Sequence, residues 1–338
     1  MKKNVIWIAA LATAMTTITS CINDEENVKD APALTELKIA ASLKAPDTQT
    51  RAAYNLQGNE LDDFTNIGIY VWYTGTTAAK TSAPAYAGYE NKKVKTATPD
   101  GISGNYPYTL TPDIAATSDK MFFPTDNANV DVYLYAPYAA SPTQTNMVMD
   151  FAVKTNQEEK ADYIDSDFLW GKATAPYATT KKASVTMAHA LTKIIFKVVP
   201  AAGIDVASMS NITLKGVMTA TTVNLGTGAT TTATTSGDIV VWSSTAGTNT
   251  VSLADTQTNG VACIIPNQAF DGSTTKVAVT MGTSPGVTKE VALASATLDP
   301  AKVYTYNLKI FGADLGLELT AISDWVSGGS ATDVDITF

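Results

Sequence analysis

The chain has 338 residues, of which 45% are hydrophobic and only 16% charged, and it carries a formal net charge of −9. That apolar share supports a packed interior and excludes wholesale disorder. The negative balance excludes nucleic acid as a partner, because its phosphates would be repelled. With a single histidine, neither a two-histidine metal centre nor a second histidine base can be assembled.

In chain order, Met1-Lys2-Lys3 gives a positive start, Val5 to Met15 is a mostly apolar run, and Ile18-Thr19-Ser20 puts small residues before Cys21. This order predicts a secretory signal over 1–20, whose apolar part is too short to remain as a membrane span. A cysteine at the cut predicts lipid attachment (palmitate) at Cys21, each buried methylene contributing roughly 0.8 kcal/mol. The alternative is an ordinary secreted chain cut nearby. Lipid on Cys21 leaves Cys263 alone, so no intrachain disulfide is expected. In Val261-Ala262-Cys263-Ile264-Ile265, Cys263 reads as a small buried strand residue.

Acid follows the lipid-bearing cysteine at Asp24-Glu25-Glu26. Next, Leu37, Ile39, Ala41 and Leu43 alternate with Lys38, Ala40, Ser42 and Lys44, the pattern of one amphipathic strand. The polar stretch from Pro46 to Thr50 then leads to Arg51, the only arginine in the chain. Arg51 reads either as an ordinary surface residue or as the site of a trypsin-like cut, before Ala52. Such a cut would free 21–51, a lipidated propeptide carrying this first strand, and leave a sheet with unpaired backbone groups and an empty apolar groove.

Period-two segments continue with Ile67-Ile69-Val71-Tyr73, Val130-Val132-Leu134 and Met147-Met149-Phe151. A polar stretch from Thr174 to Ala183, with Pro176 and the Lys181-Lys182 pair, suggests a boundary near 182. Beyond it come Ile194-Phe196-Val198, Ile212-Leu214, Val277-Val279-Met281 and Tyr304-Tyr306-Leu308. Turn signals such as Gly226-Thr227-Gly228 and Asp271-Gly272 separate these runs, and the Thr-rich stretch 227–237 reads as a hairpin loop. No helical period is sustained beyond the signal. Short strands and polar turns predict an all-β chain. Its length exceeds the roughly 250–300 residues of a single core and so predicts two antiparallel β-sandwiches, over 52–182 and 183–338.

After Gly328-Gly329, the strand Ala331–Phe338 points Val334, Ile336 and Phe338 one way and Asp333, Asp335 and Thr337 the other. It either pairs within its own domain or fills the groove of a neighbouring copy as a donor strand. Burial of each apolar side chain is worth roughly 1.5–3 kcal/mol, and each ladder hydrogen bond about 0.5–1.5 kcal/mol. Donor and acceptor surfaces differ, so such contacts run head to tail and can propagate.

Ordered pieces along most of the chain carry a family resemblance. They are the Cys21 lipobox, Arg51-Ala52-Ala53, Thr65–Trp72, Ser166-Asp167-Phe168-Leu169-Trp170-Gly171 and, most specific, Met187-Ala188-His189-Ala190-Leu191-Thr192-Lys193-Ile194. Ile264–Gln268, Tyr304–Leu308 and Ile322-Ser323-Asp324-Trp325 complete the set. Together they resemble the fimbrillin family, the pilins of type V pili of Bacteroidota. The resemblance implies two transthyretin-like sandwiches and an outer-membrane lipoprotein precursor, directed outward by its acidic stretch. It further implies maturation after Arg51 by an arginine-specific protease and polymerisation with other copies or related pilins into an extracellular fimbrium that supports adhesion. An anchor subunit would lack the cleavable arginine.

Other chemistry weighs less. His189 is expected to make a structural hydrogen bond. Asp162, Asp165 and Asp167 have oxygen-rich spacing but lack a calcium-loop glycine and glutamate. Glu158 and Glu159 read as a solvated loop, and Asn211-Ile212-Thr213 as a weak sequon. Tyr86, Tyr89, Tyr106 and Tyr108 could stack on sugars, which keeps open a monomeric or tip-located lipoprotein that binds glycans or host ligands. No enzyme activity and no cofactor are expected.

Overall fold

The computed structural model describes residues 34–43, 66–76, 90–96, 108–112, 120–140, 144–145, 147–231, 235–245, 252–282, 286–311 and 314–325. The first half contributes β1 (Glu36–Leu43), β2 (Ile67–Tyr73), β3 (Lys92–Thr96), β4 (Tyr108–Pro112), β5 (Met121–Phe122), β6 (Val130–Ala136), β7 (Gln144–Thr145), β8 (Val148–Ala152), helix α1 (Lys160–Asp165), β9 (Leu169–Ala175) and β10 (Lys182–His189). The second contributes β11 (Thr192–Pro200), β12 (Met209–Met218), β13 (Ala220–Asn224), β14 (Ser236–Ser243), helix α2 (Leu253–Thr258), β15 (Val261–Ile265), β16 (Ala269–Phe270), β17 (Lys276–Met281), β18 (Val287–Ala292), β19 (Ala296–Thr297), β20 (Lys302–Phe311) and β21 (Asp314–Asp324). The protein is all-β, as its period-two pattern predicts. The two six-residue helices are local additions that the sequence did not announce.

The first sheet has eight strands in the order β10-β9-β6-β2-β3-β4-β1-β5, and β1 also pairs with β10, so the first seven close into a ring. Inside lie Leu37, Ile39, Ala41, Ile67, Ile69, Val71, Val132, Leu134, Val185 and Met187, all nearly inaccessible. The second core lies between two four-stranded sheets, β15-β11-β20-β21 and β14-β12-β17-β18. Its side chains come from both, among them Ile194, Phe196, Ile212, Leu214, Val277, Tyr306 and Leu308. Cys263 is fully buried there, and burial pushes its thiol well above the ordinary range.

Two strands serve both cores. Because side chains alternate along a strand, β2 and β6 turn Ile67, Ile69, Val71, Val130, Val132 and Leu134 into the ring. They turn Tyr70, Trp72, Tyr133 and Tyr135 toward the second core. These rings pack against one another, Tyr70 and Trp72 at 4.9 Å and Trp72 and Tyr133 at 4.9 Å between centroids. Tyr135 stacks on Phe168 at 6.0 Å. Gly68 sits opposite Tyr135 in the register, and a Cβ there would lie 2.0 Å from the tyrosine ring.

The segment after β6 also crosses over. β8 pairs with β13 of the second half, and Met149 and Val153 belong to the second core. The buried Gln157 side chain donates to the Ile264 carbonyl at 2.8 Å and accepts from the Ile264 N–H at 2.7 Å. It thereby satisfies backbone groups of β15, which ends its sheet. Trp170 donates its indole N–H to the Leu225 carbonyl at 2.6 Å. Two pairings are parallel, β1 with β10 and β11 with β20, where antiparallel sandwiches were expected. Both join strands far apart in sequence, so no hairpin dictates their direction.

The chain passes from one core to the other at the corner 189–191, a few residues beyond 182. There His189 Nδ1 lies 2.9 Å from Asp167 Oδ1, both side chains buried, which is the structural hydrogen bond expected of this histidine. Its ring stacks on Trp325, with centroids 3.8 Å apart and planes 7° from parallel. The Lys193 ammonium lies 5.6 Å from the Trp325 ring centre and 5.8 Å from that of Tyr163. Burial pushes Lys193 down to about 8, against the upward pull of Asp167. Of the three aspartates, two are used apart, Asp165 facing Lys154 at 3.7 Å and Asp167 facing His189. Among the described residues no cluster suited to a metal ion forms.

Two predictions follow from this packing. Gly68→Ala forces the Tyr135 ring or the strand to move and should cost about 3 kcal/mol in chemical denaturation. Between about pH 8 and the ordinary lysine value of 10.5, folded Lys193 is neutral while the unfolded side chain still binds a proton. Stability from this group therefore rises with pH across that window, by on the order of 3 kcal/mol at its upper end. Wild type should gain stability relative to Lys193→Met between pH 7.5 and 10, and identical pH responses would refute the assignment.

Candidate functional site

The alternation of Leu37, Ile39 and Ala41 with Lys38 and Ser42 produces β1, with the three apolar side chains 3%, 4% and 0% exposed. The strand is interior, with partners on both sides. Along one side, Lys38 to Leu43 pair in parallel with Lys182 to Met187. Along the other, Ala40 and Ala41 pair with Thr109 and Tyr108 of β4, and Glu36 and Leu37 with Phe122 and Met121 of β5. The Lys38 N–H also donates to the Lys181 carbonyl at 3.2 Å, and the Phe123 N–H to the Thr35 carbonyl at 2.8 Å. On the outer face, the Ser42 and Thr186 hydroxyls meet at 3.4 Å.

β1 stands between β10 on one side and β4 and β5 on the other. Taking it away would unpair one side of β10 and of β4 and expose the sites of Leu37, Ile39 and Ala41. Burial of each large side chain stabilises by roughly 1.5–3 kcal/mol, so the empty slot would be a strongly adhesive surface. Two features make β1 an imperfect occupant. Its longer ladder is parallel, the slightly weaker arrangement, and Lys38 stands opposite Lys182 in the register, a like-charge pairing that destabilises a sheet. The ion pair of Glu36 with Lys120 at 3.4 Å is exposed and contributes little.

Of the residues singled out from sequence, Leu37, Ile39 and Ala41 come together in the ring, and Leu43 ends β1. Cys21, Arg51, Ala52, Val334, Ile336 and Phe338 lie outside the described residues, as do Tyr86, Tyr89 and Tyr106. Tyr108 falls in β4, beside β1. Sequence reasoning missed the walls of the slot. The alternation of Ala183, Val185 and Met187 marks β10 as a strand of the same core, but nothing local says that it flanks β1. It also missed Ala40, which is 2% exposed on the face opposite Ala41. Both faces of the slot are thus closed at this point.

Comparisons with known proteins agree with this architecture. A candidate cell adhesion protein from Bacteroides uniformis is 17% identical and superposes with a TM-score of 0.60, covering 88% of this chain and 99% of its own. Another from Bacteroides ovatus, also 17% identical, gives 0.62 over 87% and 99%. At such identity the likeness concerns the fold. Comparison with the curated proteins gives no match. The family described as Fimbrillin-like matches residues 50–325, from the position before Arg51 through Trp325 and hence most of the sequence, so the chain belongs to the fimbrillin-like family.

Proposed function

We propose that this protein is a structural pilin subunit of a cell-surface fimbria, working by assembly and without catalysis. In this reading it is exported as an outer-membrane lipoprotein tethered through Cys21. An arginine-specific protease cuts it after Arg51, which releases β1 together with the lipid. The Val334–Phe338 strand of another copy, or of a related pilin, then fills the vacated slot. Family membership supports the fimbrial role and a place at the cell surface. The observation that carries the mechanism is that β1, alone among the strands of the ring, lies N-terminal to Arg51 while joining two walls built from the chain beyond it. A single cut therefore detaches the closing strand and no other.

Physical chemistry supports the exchange. An open ring presents unpaired N–H and C=O groups on two edges, and the alternating Val334, Ile336 and Phe338 offer both ladder bonds and apolar side chains. Donor and acceptor are different surfaces of the subunit, so the association is head to tail.

The test is to treat signal-free protein with an arginine-specific protease and follow it by mass spectrometry and electron microscopy. Wild type should be cut after Arg51 and form filaments. Arg51→Ala should remain uncut and monomeric. Ile336→Asp should be cut normally yet lose filament mass at least tenfold, because it would put a carboxylate on an apolar site. A protein that is cut and stays monomeric would instead favour a tip-located or single-copy surface lipoprotein that binds glycans or host ligands.

A further inference from the structure

Three of the segments singled out from sequence meet at one buried corner. Asp167 comes from Ser166–Gly171, His189 and Lys193 from Met187–Ile194, and Trp325 from Ile322–Trp325. Trp325 directly follows β21 and is the last of the described residues, and the chain that holds the Val334–Phe338 strand comes straight after it. A pull on that strand therefore reaches the folded protein first at Trp325.

Behind Trp325 the chain is poorly built to resist such a pull. β21 lies at the end of the sheet β15-β11-β20-β21. Among the described residues its one ladder partner is β20, from Lys302 and Asp324 to Phe311 and Asp314. A sideways pull from the C-terminal end opens this ladder one pair at a time, so each modest bond meets the whole load alone. Leu315, Leu317 and Leu319 are only half-buried and add little grip. Trp325 is held differently. It is 4% exposed, its N–H donates to the Ala301 carbonyl at 2.6 Å, and its ring lies flat on His189 with centroids 3.8 Å apart. The Lys193 ammonium faces the same ring at 5.6 Å, within range of a cation–π attraction. Extracting the side chain would break the stack and expose the whole indole in one step.

The stack leads into β10. His189 ends that strand, and its Nδ1 is held 2.9 Å from Asp167. Lys182 to Met187 of the same strand form one wall of the β1 slot. In the strand-exchange reading, on which this inference rests, β10 thus holds the strand received from one neighbour along its edge. At its end it holds the root of the strand given to the next. We infer that Trp325 is the anchor of the donor strand and β10 the tie of the filament. Tension entering through the slot runs along β10 to His189, crosses to Trp325 and leaves through 326–338, bypassing the ladder of β20 and β21. Trp325 is a positioning residue for the strand that follows it.

Single-molecule pulling tests the anchor without requiring assembly. Signal-free chains with Cys21→Ser carry one handle at Ser184→Cys, a position exposed on β10, and the other after Phe338, while Cys263 is buried. Trp325→Leu keeps an apolar side chain but no flat ring. His189→Gln keeps a donor for Asp167 but no aromatic face. Each should lower the force of the first rupture at least about twofold, and either one decides the matter if the other does not fold. Trp325→Phe should lose less than Trp325→Leu. Leu315→Ala, at the far end of β21, should leave the first rupture unchanged even where denaturation shows an equal loss of stability. Wild-type force in a folded Trp325→Leu or His189→Gln chain, or an equal drop in Leu315→Ala, would overturn the anchor. After cleavage, Trp325→Leu should form filaments at wild-type yield that shear to lengths at least about twofold shorter. Filaments as long as wild type would overturn the tension path. Wild-type chains that are cut and stay monomeric would sink exchange and the tension path together, with the single-chain forces still deciding the anchor.

Discussion

Seven strands of the first sheet close into a ring because one eight-residue strand, β1, stands between β10 and β4. Closure of a sheet satisfies every edge donor and acceptor at once and shields an apolar interior. Its weakness is equally collective. Loss of one member uncovers two edges and the core between them. In this protein that member is held by a mostly parallel ladder and carries a lysine opposite a lysine. The strand on which the ring depends is thus held largely by the slightly weaker kind of ladder.

The remainder of the molecule is tied together more redundantly. β2 and β6 contribute one face to each core, so the two cores share a wall of stacked aromatic rings. β8 and Gln157, from the first half of the chain, pair with β13 and β15 of the second. At the corner between β10 and β11, His189, Asp167, Trp325, Tyr163 and Lys193 form a buried cluster joining residues from both halves. In the proposed exchange, these ties would hold the walls of the slot together once β1 has left. That division of labour suits a subunit whose family is fimbrillin-like and whose proposed work is mechanical assembly.

Much was legible before any tertiary contact was known. Alternation along Leu37–Leu43, Ile67–Tyr73, Val130–Leu134 and Tyr304–Leu308 gave the strands and their inward faces, since a period of two is a property of the strand itself. The ordered pieces around Arg51, Ser166–Gly171 and Met187–Ile194 gave the family. Burial of Cys263 followed from its apolar neighbours. Tyr133 and Tyr135 show where this reading stops: opposite an apolar face they pass for an outer surface, yet they are buried because a second core lies against them.

What the sequence by itself determined is therefore the class of the fold, the identity of the family and which side chains on each strand seek an interior. What only the tertiary structure decided is which strands meet: β8 with β13, β10 with the first core, and β1 closing a ring in parallel with β10. Backbone donors and acceptors are chemically the same in every strand, so a local pattern carries little information about a partner more than a hundred residues away. Partner choice is made by the fit of whole faces, and those faces exist only once the chain has folded.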